Sequence, residues 1–345
     1  LLVTGARQTG KTWLIRDEIE KSGYTKFELN FIDQPDMVSY LNAEMSAEEF
    51  LIKLKMIMPE DCKVHETVVF FDEIQKCPEI VTKIKFLVDE GSFKYVMSGS
   101  LLGVELKGIA SAPVGYLTVL RMYPMDFEEF MVANNVSTTT LDMLEDKFKT
   151  VSPIEEFIHQ KLLAMFFVYL IVGGMPDAVK TYIETKDIRE VDRVQRDITT
   201  LYKEDFSQYE LEDRKLKLKS IYDIIPAELD KQNKKFVFTM LNKELKFERY
   251  ENSFLWLKDA GVALPVYNVD APVIPLLASK SSNVFRLFSS DIGLLTSAYP
   301  AETKIELINK NGEVNNGAHF ENAVAQQLTA NGFEPFFCKK KNIGE

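Results

Sequence analysis

The first third of the chain alternates short apolar runs with amphipathic stretches. Leu1-Leu2-Val3 reads as an apolar strand, and a helix follows from about Lys11 to Lys21. Phe27, Leu29 and Phe31 point one way along a second strand while Glu28 and Asn30 point the other, the period of two of a half-buried strand. A helix fits Ala47 to Met58. Thr67 to Phe71 is a fully apolar strand that ends in Asp72-Glu73. Pro78 opens another helix, which runs to about Glu90 and stops at Gly91. Phe93 to Met97 and Leu117 to Met122 complete the series of strands. Strands alternating with helices predict a parallel sheet covered on both faces. Such sheets bind ligands at the carboxyl ends of their strands.

From Pro124 to about Glu212 the pattern turns helical, with Phe127, Phe130 and Met131 at i, i+3, i+4 spacing. Gly173-Gly174-Met175-Pro176 interrupts this block as a helix–helix turn. Short helices and a strand from Val262 to Val269 follow, and a further unit starts near Pro275. It holds a strand over Asn283–Phe288, a turn at Ser289-Ser290-Asp291 and a helix from about His319 to Asn331, ended by Gly332. These breaks predict four segments: 1–123, 124–212, 213–274 and 275–345.

Composition narrows the class. The chain has 345 residues, 46% apolar and 27% charged, which is enough apolar surface to exclude disorder as its main state. Charges sum to 41 − 52 = −11, so the molecule as a whole repels nucleic acid and anionic membrane, and contact with either needs a local basic patch. Cys62, Cys77 and Cys338 form no CxxC pair, and His65, His159 and His319 are scattered. This argues against a zinc site or a disulfide framework and for a reducing, cytoplasmic compartment. The longest apolar run, Leu162–Val172, has 11 residues. A membrane span needs about 20, so a buried helix and no membrane contact are expected. Leu1 is not a start methionine and the chain stops in mid-sequence at Gly344-Glu345, so both ends are expected to be truncated.

The chemistry is concentrated at strand ends. Gly5-Ala6-Arg7-Gln8-Thr9-Gly10-Lys11-Thr12 fits GxxxxGK[ST], the Walker A phosphate loop, between an apolar strand and a helix. Glycines let the backbone turn tightly so that its N–H groups face a phosphate, and the helix that follows presents its positive end to the same anion. Lys11 adds a charge near the β- and γ-phosphates, and the Thr12 hydroxyl is a Mg²⁺ ligand. The apolar strand tipped by Asp72-Glu73 fits a Walker B element. Buried beside the phosphate-loop strand, it would place Asp72 near Mg²⁺ and Glu73 where it can polarise the attacking water. Adjacent carboxylates also occur at a solvated strand end. Ser98 and Ser100 can touch the γ-phosphate or the lytic water, but Ser-Gly-Ser is also a common turn. Arg121, Arg193 and Arg196 are candidates to stabilise the transferring phosphoryl, and the sequence does not choose among them. Guanine selectivity usually carries NKxD. Asn242-Lys243-Glu244-Leu245 lacks the Asp, which favours ATP.

GARQTGKT, VVFFDEIQKCPE and YVMSGS, in this order, resemble a group of bacterial and archaeal AAA-type ATP-binding proteins. YPMDFEEFM (123–131), GGMP (173–176), LYKEDFSQY (201–209), VFRLFSSDIGLL (284–295) and GAHFENAVAQQL (317–328) extend the resemblance along nearly the whole chain. It implies an α/β P-loop NTPase core over 1–123, a helical lid over 124–212, a winged-helix segment over 213–274 and a truncated α/β C-terminal domain over 275–345. That last domain is similar to restriction-endonuclease-like folds. The resemblance implies ATP with Mg²⁺ and, in many relatives, assembly into homo-oligomeric rings. Relatives often have Gly-Arg where this chain has Gly115-Tyr116, so Arg121 or a partner would have to replace that arginine. Glu321 matches the first acidic position of a nuclease-like site but lacks its partners, and reads as a solvated helix residue.

Between Arg214 and Arg249 ten Lys/Arg face five Asp/Glu, a net +5 that leaves the rest of the chain at −16. A helix from about Arg249 to Ala260 would carry Asn252, Ser253 and Lys258 outward and Phe254, Leu255 and Leu257 at least partly inward. Residues 214–260 are therefore read both as a surface for DNA and as a protein or domain contact. Two functions stay open: an ATPase that couples nucleotide state to its C-terminal domains, and a nucleic-acid-binding regulator that senses ATP with little turnover. A phosphotransferase would need an acceptor that nothing in the sequence indicates.

Overall fold

The computed structural model describes residues 1–41, 45–100, 115–208, 212–231, 236, 251–308 and 316–339. The chain divides into two compact units, Leu1–Met122 and Tyr123–Glu345.

The first unit is an α/β P-loop fold. Its strands are β1 (Leu2–Thr4), β2 (Thr25–Asn30), β3 (Thr67–Asp72), β4 (Lys94–Gly99) and β5 (Val119–Arg121). They form one sheet in the order β2-β3-β4-β1-β5, with each neighbouring pair parallel. The helices are α1 (Lys11–Ser22), α2 (Pro35–Leu41), α3 (Ala47–Ile57) and α4 (Glu79–Glu90). The sequence pattern had no signal for α2, whose seven residues bury only Leu41. Ser46 and Glu49 close a capping box at the start of α3, and Gly91 ends α4 in the left-handed conformation that glycine adopts without strain.

Alternation along β3 separates the two layers. Val68 and Phe70 pack with Val3 against Ile15 and Ile19 of α1. Val69 and Phe71 face the larger cluster, with Phe50 and Leu54 of α3 and Ile80, Ile84 and Leu87 of α4. All six β3 positions are buried, as a central parallel strand requires, and each large apolar side chain contributes about 1.5–3 kcal/mol by leaving water. One expectation needs correction. β3 does not lie beside β1, because β4 runs between them. The two motif-bearing strands are thus about 10 Å apart, two strand spacings, and only side chains can join their ends.

The second unit is mostly helical: α5 (Phe127–Ala133), α6 (Thr138–Lys149), α7 (Glu156–Val172), α8 (Pro176–Thr185), α9 (Ile188–Gln208), α10 (Glu212–Leu229), α11 (Glu251–Asp259), α12 (Ile292–Ser297), α13 (Ala301–Ile308) and α14 (Gly317–Ala330). A small sheet joins β6 (Ala263–Val269) antiparallel to β7 (Lys280–Ser289) and parallel to β8 (Phe336–Phe337). The apolar run Leu162–Val172 is the C-terminal part of α7, and its last turn, Tyr169 to Val172, is fully buried. Among the described residues no helix is long and apolar enough to cross a membrane.

The motifs of this unit meet in one buried polar knot. The fully buried Asp291 accepts hydrogen bonds from the backbone N–H of Gly174 (2.7 Å) and of Leu294 (2.9 Å). Gln326 donates to the Tyr169 hydroxyl (3.0 Å), which donates to the carbonyl of Met125 (2.9 Å). A Cβ on Gly174 would lie 1.9 Å from that same carbonyl oxygen, so only glycine fits. Burial pushes the Asp291 carboxyl up to about 6, against the hydrogen bonds that favour its charged form.

Two further expectations are corrected here. On α11 the buried face is Ser253, Phe254, Trp256 and Leu257, with Leu255 at its edge. The i, i+3, i+4 stripe starts at Ser253, which therefore faces in rather than out. Glu321 does not stand alone in solvent, since its carboxylate pairs with Arg286 at 3.0 Å. Arg249 and residues 237–250, which hold part of the basic segment, lie outside the described residues, as do Gly344 and Glu345.

His319 is buried with no hydrogen-bond partner on either ring nitrogen among the described residues, its ring 4.7 Å from that of Tyr299. Burial holds its imidazole down to about 4. A base with a depressed folded value loses stability as pH falls from its unfolded value, about 6.5, toward 4, because only the unfolded chain then takes up the proton. Denaturant midpoints of wild type and His319→Phe should therefore diverge in favour of the variant between these pH values, by up to about 3 kcal/mol. Parallel pH profiles would contradict this.

Candidate functional site

Gly5 to Gly10 forms the turn between β1 and α1 at the carboxyl edge of the first sheet, and Lys11 and Thr12 open α1. Gly5 (φ 142°) and Gly10 (φ 88°) have backbone conformations that L-residues with a Cβ resist, and Gln8 adopts φ 65°. A Cβ on Gly5 would lie 2.2 Å from the carbonyl oxygen of Met122. The loop is thus pressed between α1 and the end of β5.

Lys11 is buried and folds back over the loop, donating from Nζ to the carbonyls of Gly5 (3.1 Å) and Ala6 (2.6 Å). The hydroxyl of Thr9 donates to the same Ala6 carbonyl at 2.9 Å. Burial lowers the Lys11 ammonium to about 8, although Glu73 and Asp72 pull it up. An ammonium held in a cleft by neutral carbonyls is electrostatically suited to an incoming anion.

Asp72, the last residue of β3, is buried. Its carboxylate accepts from the hydroxyl of Thr12 (3.0 and 3.2 Å), the amide of Asn30 (3.1 Å), the hydroxyl of Ser98 and the backbone N–H of Glu73 (3.2 Å). The two motifs therefore touch through the Thr12–Asp72 bond, although β4 separates their strands. A hydroxyl and a carboxylate side by side are hard oxygen donors, and Mg²⁺ is usually held by one or two such protein groups plus phosphate oxygens and water. The residues present fit both a phosphate chain and that ion.

Ser98 sits on Asp72 in this arrangement, and Ser100 takes a hydrogen bond from Arg7 Nε at 3.4 Å. Asn30 escaped the sequence reading, which placed it on an outward face. The signal lies in the register, where Asn30 pairs opposite Asp72 at the matched ends of β2 and β3. Glu73 leaves the strand in the left-handed region (φ 56°, ψ 45°), and its carboxylate accepts from the amide of Gln75, a second residue that the sequence reading did not single out. Arg121 ends β5 opposite Thr4. Arg193 and Arg196 pair with Glu190 (2.9 Å) and Asp192 (2.7 Å) along α9 of the second unit.

Sheet order, phosphate loop and paired strand-end acids define the class of P-loop nucleotide-binding proteins. Within that class, residues 1–131 match the family model described as AAA domain, so this part of the chain is an AAA domain, as its motifs imply. Residues 164–305 match a domain of unknown function, DUF8612. No curated protein sequence matches the chain. Among solved structures, the Walker-type ATPase of Pyrococcus abyssi is similar over 86% of this chain and 90% of its own, at 11% identity and a TM-score of 0.47. AMPPCP-bound DnaA from Aquifex aeolicus is similar over 75% of this chain and 81% of its own, at 11% identity and a TM-score of 0.34. The Aeropyrum pernix ORC1 protein in complex with DNA is similar over 90% and 86%, at 11% identity and a TM-score of 0.32.

Gly5→Ala should destabilise the first unit by about 2–4 kcal/mol, because its Cβ meets backbone rather than a movable side chain and the positive φ adds strain. A denaturant midpoint unchanged from wild type would refute this tight contact.

Proposed function

We propose that this chain binds ATP with Mg²⁺ and hydrolyses it, coupling nucleotide state to residues 124–345. The observation that carries the reading is the Thr12–Asp72 hydrogen bond beside the buried Lys11 ammonium. It joins a phosphate-loop hydroxyl, a strand-end carboxylate and a cation in one place.

Gly5, Ala6, Arg7, Gln8, Thr9 and Gly10 contribute the loop backbone that wraps the phosphates. Lys11 leaves its carbonyl partners for the β- and γ-phosphate oxygens, gaining charge-assisted hydrogen bonds in exchange for neutral ones. Thr12 and Asp72 would hold Mg²⁺, which would neutralise phosphate charge. Glu73 takes the proton from the attacking water as its oxygen bonds to the γ-phosphorus and the bond to the bridging oxygen breaks. Ser98 supports catalysis by fixing the carboxylate of Asp72. The lack of an NKxD stretch supports adenine over guanine. In the same reading 124–212 is a helical lid, 213–274 a winged-helix segment and 275–345 a C-terminal domain.

Lys11→Ala should weaken ATP binding by about 100-fold, the loss expected for hydrogen bonds from a buried charged donor; equal calorimetric affinity would remove the loop from the site. Glu73→Gln should keep ATP affinity and lose turnover by at least about 100-fold, and a variant turning over at wild-type speed would remove Glu73 as the base.

The partner surface of this reading is residues 214–260, supported by the net +5 of residues 214–249. A DNA titration should give affinity that falls steeply as salt rises. Salt-independent binding, or none, would leave a protein contact as the use of this segment. Salt-sensitive binding with negligible ATP turnover would favour the regulator that senses ATP.

A further inference from the structure

We propose that Gln75 is a positioning residue that sets the carboxylate of Glu73. This rests on the reading of Glu73 as the group that takes the proton from water.

Three observations carry it. First, the backbone turns sharply after Asp72. Glu73 lies in the left-handed region, which residues bearing a Cβ enter reluctantly, and a short 3₁₀ turn over Ile74–Lys76 follows. That turn is closed by the N–H of Lys76 donating to the carbonyl of Glu73 at 3.0 Å and the N–H of Cys77 donating to that of Ile74 at 2.9 Å. It brings residue 75 back over residue 73. Second, the Gln75 amide donates from Nε2 to Oε2 of Glu73. The opposite orientation of the amide would press its oxygen against a carboxylate oxygen, so the chemistry fixes which end is which. Third, Gln75 is buried while its Oε1 has no hydrogen-bond partner among the described residues.

The third point separates function from packing. Glutamine is ordinarily a surface residue, and burying an amide with an unpaired acceptor is unfavourable. Ile74, Cys77 and Ile80 already fill the apolar core on this side of the sheet. A core position chosen for stability alone would carry an apolar residue there. What the amide supplies that an apolar residue cannot is a donor to Glu73, and a donor to an ionised acceptor orients it strongly. The glutamate sits on a turn, free of the strand geometry that aims Asp72, and Gln75 replaces that lost constraint.

The test is steady-state ATP hydrolysis by the full chain with Gln75→Leu, Gln75→Glu, Glu73→Gln and the Gln75→Leu/Glu73→Gln double variant, with ATP affinity by calorimetry and thermal midpoints as folding controls. Gln75→Leu should lower kcat by about tenfold with KM and ATP affinity within about twofold, the mark of an interaction used in the chemical step. Gln75→Glu keeps the size but replaces the donor with a repelling carboxylate, and should lose at least as much; it also serves if the leucine variant does not fold. In the Glu73→Gln background Gln75→Leu should cause no further loss, because there is no longer a carboxylate to aim. Unchanged or raised kcat in the single variants, or a full additional loss in the double variant, overturns the inference. Absence of hydrolysis by the wild-type chain overturns the reading of Glu73 itself, whereas hydrolysis indifferent to Gln75 overturns this inference alone.

Discussion

A single buried carboxylate organises the carboxyl edge of the first sheet. Asp72 ends β3, an interior strand, in a place nearly closed to water, and a carboxyl group there is tolerable only if its oxygens are well hydrogen-bonded. The donors come from three other elements, namely Thr12 on α1, Asn30 on β2 and Ser98 on β4, together with the N–H of the next residue. Each of these elements must end at the right height for its donor to reach. The parallel register of β2 with β3, in which Asn30 meets Asp72, is one consequence. Another is the seating of the first turn of α1, which crosses the gap that β4 leaves between β1 and β3.

The same economy holds for Lys11. Its ammonium is satisfied by the loop's own carbonyls, so the loop keeps its shape from internal contacts. Thr12 and Asp72 bond to each other, while Lys11 bonds to the loop carbonyls; in the proposed function the ammonium exchanges these neutral partners for charge-assisted bonds to phosphate. Glu73 adjoins these residues through its N–H bond to Asp72, and its carboxylate is tied to Gln75.

In the second unit Asp291 has a comparable structural position, joining the Gly173-Gly174 turn to the start of α12 while Gln326 and Tyr169 meet nearby. Four of the stretches there that were legible only as marks of resemblance, those holding Met125, Gly174, Asp291 and Gln326, converge on this knot. Their chemistry is the satisfaction of buried polar groups, and the close approach of Met125 explains why the turn needs Gly174. The sequence misjudged Ser253 on α11 because it is a local exception to polarity. It is small enough to pass inward on the stripe that contains Trp256 and Leu257.

The residues proposed to carry phosphate chemistry could be picked out from the sequence alone, because the loop is continuous and its requirements are local: glycines for the turn, one lysine, one hydroxyl, and a helix start. The strand-end acids were legible for the same reason, as an apolar run interrupted by charge. Only the tertiary structure decided which strand lies between the two motifs, which residue of β2 faces Asp72 and which amide holds Glu73. Those relations depend on sheet order, register and a two-residue turn, and none of the three leaves a periodic trace in the chain.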